Sequence, residues 1–172
     1  MPNALAASTT ASDPRQRIAV NDVQNPMLLC AIALWHRLRG ERPFPARNDM
    51  TLRDMAPFAR NSVLVRVLND GAEFEIRLVG DAVVEAKGCS FQNMTLTEAA
   101  PRLGDNAGYM RRAYEAVLKG RAPIAFRGWI GPNYSLPVFQ ESVMLPLGPE
   151  GESVDHILIV GVYAQGAAKR PR

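Results

Sequence analysis

The order of predicted elements places this chain in the α+β class, an antiparallel sheet with helices gathered on one face. Three observations carry that reading. Val63, Val65 and Val67, and then Phe74, Ile76 and Leu78, alternate with polar residues at the strand period, and Asn69-Asp70-Gly71 between them tolerates the positive φ of a hairpin. Three further strand candidates close the chain: Pro123 to Ile130, Phe139 to Leu147 and Val154 to Tyr163. They are separated by Gly131-Pro132-Asn133 and Gly148-Pro149-Glu150-Gly151. Between the two groups lies a helical block. The sheet expected from this count has five strands.

Residues 1 to 25 are rich in Ala, Ser and Thr and are expected to form a flexible arm. Pro26 opens a helix that runs to Arg39 and ends at Gly40. Its apolar face, Leu28, Ile32 and Trp35 with Leu29, Ala33 and His36 alongside, must cover either the domain's own sheet or a second copy of the chain. Pro43-Phe44-Pro45 forces an extended crossing, and Asp49 is expected to cap a short helix through Arg53 and Met55.

The stretch from Phe74 to Gly88 is the centre of the pattern. A strand feeds directly into a short helix, with Asp81 as the expected cap, Val83, Val84 and Ala86 as its apolar residues, and Gly88 as its stop. Cys89 and Phe91 follow, which makes the segment the wall and lid of a small cavity. A helical turn is expected over Met94 to Ala99. A longer helix is expected from Asp105 or Asn106 to Lys119, with Tyr109, Ala113, Ala116 and Val117 inward and Met110 and Tyr114 flanking them.

At 172 residues, 47% hydrophobic and 22% charged, the chain has the composition of one globular domain. Its net charge of +3 comes from the end of the chain: setting aside Lys169, Arg170 and Arg172 leaves the 17 acidic residues balanced. A basic face for nucleic acid is therefore not expected, and residues 165 to 172 read as a flexible tail beyond a domain at 26 to 164. Two cysteines, Cys30 and Cys89, fit a reducing compartment. The first 16 residues lack both a basic leader and an apolar core, and no apolar run spans a bilayer, so the expected location is cytoplasmic.

Catalytic motifs are sparse. His36 sits on the apolar helix and His156 beside Asp155, neither next to a nucleophile, and two Cys and two His do not have zinc-site spacing. No phosphate loop or dinucleotide fingerprint occurs. No catalytic residue and no metal ligand is assigned. Arg77 with Glu75, and Arg66 or Arg127 from neighbouring strands, read as a charge ladder on a solvated sheet face.

With the residues laid out, the chain resembles the PAS sensory fold, and specifically the stand-alone PAS-5 type of alphaproteobacteria. The matching residues are Leu34-Trp35-His36-Arg37-Leu38-Arg39-Gly40, Pro43 to Arg47 with Asp49, Phe74 to Gly80, Gly88, Leu145-Pro146-Leu147, Gly151, and the strand at His156 to Val162. The chain departs from the family pattern at Met50 after Asp49, at Gly80-Asp81, and at Asn93, where the family commonly has glycine. Asn93 is then expected to adopt positive φ.

The resemblance implies a sensory or interaction module without catalysis of its own. Its ligand pocket would be drawn from Ile76, Leu78, Cys89, Phe91, Tyr109, Met110, Phe126 and Met144, and its cover or dimer helix from Leu28, Ile32 and Trp35. The cofactor is unassigned. Haem-binding types present a histidine from the longer helix, and Gly104 to Lys119 has none. Light-sensing flavin types set their cysteine in Asn-Cys-Arg-Phe-Leu-Gln, which Gly88-Cys89-Ser90-Phe91-Gln92 matches poorly. Haem and flavin are both disfavoured. No kinase, cyclase or DNA-binding segment follows the domain in this sequence, so the signal is expected to pass to a homodimer mate or a signalling protein. The competing expectation is a small α+β enzyme or carrier in which Cys89, Tyr109 or Arg127 acts on substrate.

Overall fold

The structure, a computed structural model, describes residues 15–130, 138–149 and 152–165. Among them one antiparallel sheet of seven strands runs through the molecule in the order β1-β5-β6-β7-β2-β3-β4. The strands are β1 (Arg15–Ile18), β2 (Ser62–Leu68), β3 (Glu73–Val79), β4 (Met94–Thr95), β5 (Ile124–Ile130), β6 (Val138–Leu147) and β7 (His156–Gln165). The five expected strands form the centre, and the two additional ones lie at the edges. β4 is only two residues long. β1, Arg-Gln-Arg-Ile, pairs with β5 from Arg15 opposite Gly128 to Ile18 opposite Ala125, so residues 15 to 25 are not a flexible arm. A strand with one apolar residue carries no hydrophobic period; backbone hydrogen bonds to the edge of β5 hold it. Residues 1–14, 131–137 and 166–172, which include the Gly131 turn and the basic tail, lie outside the described residues.

Helices pack on both faces. α1 (Pro26–Arg39) lies on one, and α3 (Asp81–Lys87), α4 (Leu96–Leu103) and α5 (Asp105–Gly120) on the other. Asn25 caps α1 by accepting from the Met27 N–H, and Pro26 needs no partner at the first helical position. The apolar face of α1 covers the domain's own sheet. Leu28, Ile32 and Trp35 are buried with Leu64, Val143, Leu145, Leu158 and Val160. Trp35 Nε1 donates to the Pro146 carbonyl over 2.8 Å. That carbonyl is available because β5 pairs with β6 only as far as Met144.

Asp49 does not cap the helix that follows it. It closes its own turn, accepting from the Ala46 N–H at 2.8 Å and from Arg42 at 2.7 Å, and these bonds hold its carboxyl below the usual range. The short helix α2 (Leu52–Met55) is capped by Thr51, in reciprocal bonds with Asp54.

Strand β3 does not keep one period. Val65 faces Ile76 but Leu64 faces Leu78, so Arg77 is an extra residue and the strand bulges there. A one-residue insertion exchanges the faces. Phe74 and Ile76 point toward α3–α5, whereas Leu78 packs with the α1 side and Val79 returns to the helical side. The chain then enters α3 at Gly80, which serves as the cap with no side-chain bond, leaving Asp81 in the first turn. A Cβ at Gly80 would run into the carbonyl oxygens of Ala59 and Arg60. Gly80→Ala is expected to lower stability by about 2–3 kcal/mol. Gly88→Ala meets open space, and only its left-handed φ of 73° resists, at about 1 kcal/mol. Denaturant midpoints of the two variants check that order.

Asn93 adopts φ 64°, as its place in the loop requires, and its N–H bonds the Ile76 carbonyl at 2.7 Å. The chain thereby turns back to form β4. The Asn69-Asp70-Gly71 connection is left-handed at all three residues.

Candidate functional site

A cavity of about 40 Å³ lies between the sheet and α3–α5. The sheet supplies Val63, Ile76, Val79, Gln140, Met144, Ile159 and Tyr163. The helical side supplies Val83 and Lys87 from α3, Cys89 and Phe91 after it, and Met110 and Tyr114 from α5; Arg15 of β1 completes the wall. Local periodicity explains each placement. Val83 and Lys87, and likewise Met110 and Tyr114, stand four residues apart on one helical face, and Gln140 and Met144 share one face of β6. At this size the space holds about two or three waters.

Five of the eight expected pocket residues line it: Ile76, Cys89, Phe91, Met110 and Met144. Leu78 does not, because the bulge at Arg77 sends it to the α1 side. Tyr109 is buried on α5 under the Arg112 guanidinium, 4.9 Å from its ring, away from the cavity lining. Phe126 packs at the edge of the same core with Arg15 above its ring at 5.8 Å. The constellation of Cys89, Tyr109 and Arg127 is not assembled. Arg127 binds Glu141 at 2.7 Å and the Asp22 carbonyl at 3.3 Å, on the face that carries Ala125 and Val143 beneath α1. Glu75 pairs with Arg77 at 3.1 Å and Arg66 at 3.8 Å, an exposed ladder that Arg127 does not join.

The polar lining is what sequence reading missed. Lys87 ends α3 one turn after Val83, half-buried, and its ammonium has no hydrogen-bond acceptor among the described residues. Burial, together with the nearby Arg15 charge and against the opposing influence of Cys89, lowers its pKa to about 8. Cys89 donates only a long 3.8 Å bond to the Lys87 carbonyl. Gln140 is buried in the lining; Ser142, buried between Gln140 and Met144, is not part of the lining, and its hydroxyl has no partner among the described residues. A lysine on the inward stripe of α3, and a Gln sharing one face of β6 with Met144, were the available signals. Both break an apolar pattern at positions the pattern itself marks as internal.

Elsewhere, His36 lies on the exposed side of α1 and His156 bonds Asp155 at 2.9 Å. Among the described residues no helix is long and apolar enough to cross a membrane.

No protein-family model matches the sequence, and no curated protein matches it. Among solved structures, the chain is similar to a sensory box sensor histidine kinase from Vibrio cholerae, with a TM-score of 0.45 and 16% identity over 60% of this chain and 82% of that one.

Proposed function

We propose that this chain is a PAS-like sensory module. In this reading a small molecule enters the cavity between the sheet and α3–α5, and its presence is read out by protein contact, in a homodimer or with a signalling partner, without catalysis by the chain itself. The observation that carries the reading is the cavity's position, enclosed on the helical side of a sheet whose other side is covered by α1. The element order supports it too: two strands, short helices, a longer helix and three strands are the succession in which the chain resembles PAS domains.

A route between the two sides exists in β6 and β7. Met144 and Ile159 face the cavity, while their neighbours Val143, Leu145, Leu158 and Val160 pack under α1. Two residues beyond Met144, the Pro146 carbonyl holds Trp35. The sheet is one strand thick, so side chains displaced on one face press on the backbone that positions the other. Occupancy therefore biases the seating of α1, whose outward side exposes Leu29, at 44%, with Cys30 and Ala33.

Native mass spectrometry of the purified chain tests the reading. The expected result is a small bound mass that denaturation releases and that Val83→Phe, which fills the cavity, lacks. A bound mass unchanged by Val83→Phe contradicts it.

A further inference from the structure

We propose that the cavity takes a small oxyanion, a short carboxylate or nitrate of about four non-hydrogen atoms, with the Lys87 ammonium as its counter-charge and the Gln140 amide as a hydrogen-bond donor. The proposal rests on the sensory reading above and names the chemistry of its ligand. The cavity's charged lining is wholly basic: Arg15 and Lys87 are present and no carboxylate is. Among the described residues nothing accepts from the Lys87 ammonium, and Gln140, buried on the same face of β6 as Met144, brings an amide to the same lining. A half-buried ammonium with no acceptor, set in a lining whose other charge is Arg15, is unfavourable, and a bound anion answers it.

Size and polarity narrow the class. About 40 Å³ admits formate, acetate or nitrate without rearrangement and excludes an aromatic acid or a sugar phosphate. Val83, Met144 and Ile159 supply an apolar wall suited to a methyl group. At neutral pH a lysine whose pKa is about 8 is still mostly protonated. Binding should weaken as pH rises past that value. The other groups facing Lys87 are Arg15 from β1, Cys89 after α3, Tyr114 from α5 and Tyr163 from β7. Cys89 also acts electrostatically on Lys87, so the pH series is run in Cys89→Ser as well.

The test is calorimetric titration of the full chain at neutral pH with sodium formate, acetate and nitrate, ionic strength being held constant with chloride. Saturable one-to-one binding of at least one of them is expected. Lys87→Met should weaken it by about tenfold or more, and Gln140→Leu by less. Arg60→Ala, which removes an exposed cation paired with Glu85, should leave it unchanged. Absence of saturable binding by all three anions overturns the proposal, as does wild-type affinity in Lys87→Met. A neutral molecule found in the cavity by native mass spectrometry overturns the anion and leaves the sensory reading standing. A bound mass that persists in Val83→Phe overturns both.

Discussion

Trp35→Ala is expected to destabilise the protein by about 4 kcal/mol, the largest loss anticipated for a single side chain here. Trp35 is 2% exposed at the centre of the core beneath α1. Its ring meets the His36 ring edge-on at 5.0 Å, and the Arg39 guanidinium lies over it at 5.6 Å. Truncation leaves a cavity under the helix and an unpaired Pro146 carbonyl, which Trp35 Nε1 now satisfies at 2.8 Å. The two contributions separate. Trp35→Phe keeps most of the apolar volume and loses the hydrogen bond, and should cost about 1–2 kcal/mol. Urea unfolding of the two variants measures both. If Trp35→Ala left the midpoint unchanged, α1 would not be the cover that the fold assigns to it.

Lys87→Met is expected to act in the opposite direction, raising the stability of the empty protein at neutral pH by about 1–3 kcal/mol. Burial holds Lys87 near pKa 8 against an ordinary 10.5, so folding must keep a charge in a place that disfavours it. The sign with pH follows. Below about 8 both folded and unfolded chains carry the proton, and the cost is present in full. Between 8 and 10.5 the unfolded chain binds more protons than the folded one, so wild-type stability rises across that window and levels off above it. The methionine variant lacks this contribution, and the difference between the two proteins should shrink toward zero as pH passes 10.5. A difference that stays constant from pH 7 to 11 would show that the ammonium is not held in the cavity.

Much of this architecture was legible in the residues. The five central strands, the extent of α1 and the Asn69-Asp70-Gly71 hairpin are local matters, set by alternation, by Pro26 with Gly40, and by side chains that tolerate positive φ. What escaped was set by partners distant in sequence. β1 is a strand only because the edge of β5 is there to pair with it. Leu78 changes face because β2 opposite lacks a residue to match Arg77, which a single strand's period cannot reveal. The short helix at Leu52 is capped by Thr51, not Asp49, because Asp49 is already engaged by Arg42 and Ala46.

The candidate site divides in the same way. Its apolar members were found because Ile76 follows the alternation of β3, Cys89 and Phe91 come just past the helix stop at Gly88, and Met110 flanks the inward stripe of α5. Tyr109 was placed in the pocket from its position on the inward stripe of α5 and Arg127 on chemical character, and the structure gives them other neighbours. Lys87 and Gln140 were missed for the opposite reason. Polar residues on an internal face look like interruptions until the cavity they face is known.

The central claim is that the state of the cavity reaches α1 through the sheet, and the Trp35 indole N–H signal reports it directly. Its nuclear magnetic resonance position and its exchange with solvent should be compared among wild type, Val83→Phe, which fills the cavity, and Ile159→Val, which enlarges it. The expected result is a shift of the Trp35 signal in both variants, with the Trp129 signal serving as a reference on β5. An unmoved Trp35 signal, while the methyl resonances around Met144 respond, would contradict the claim.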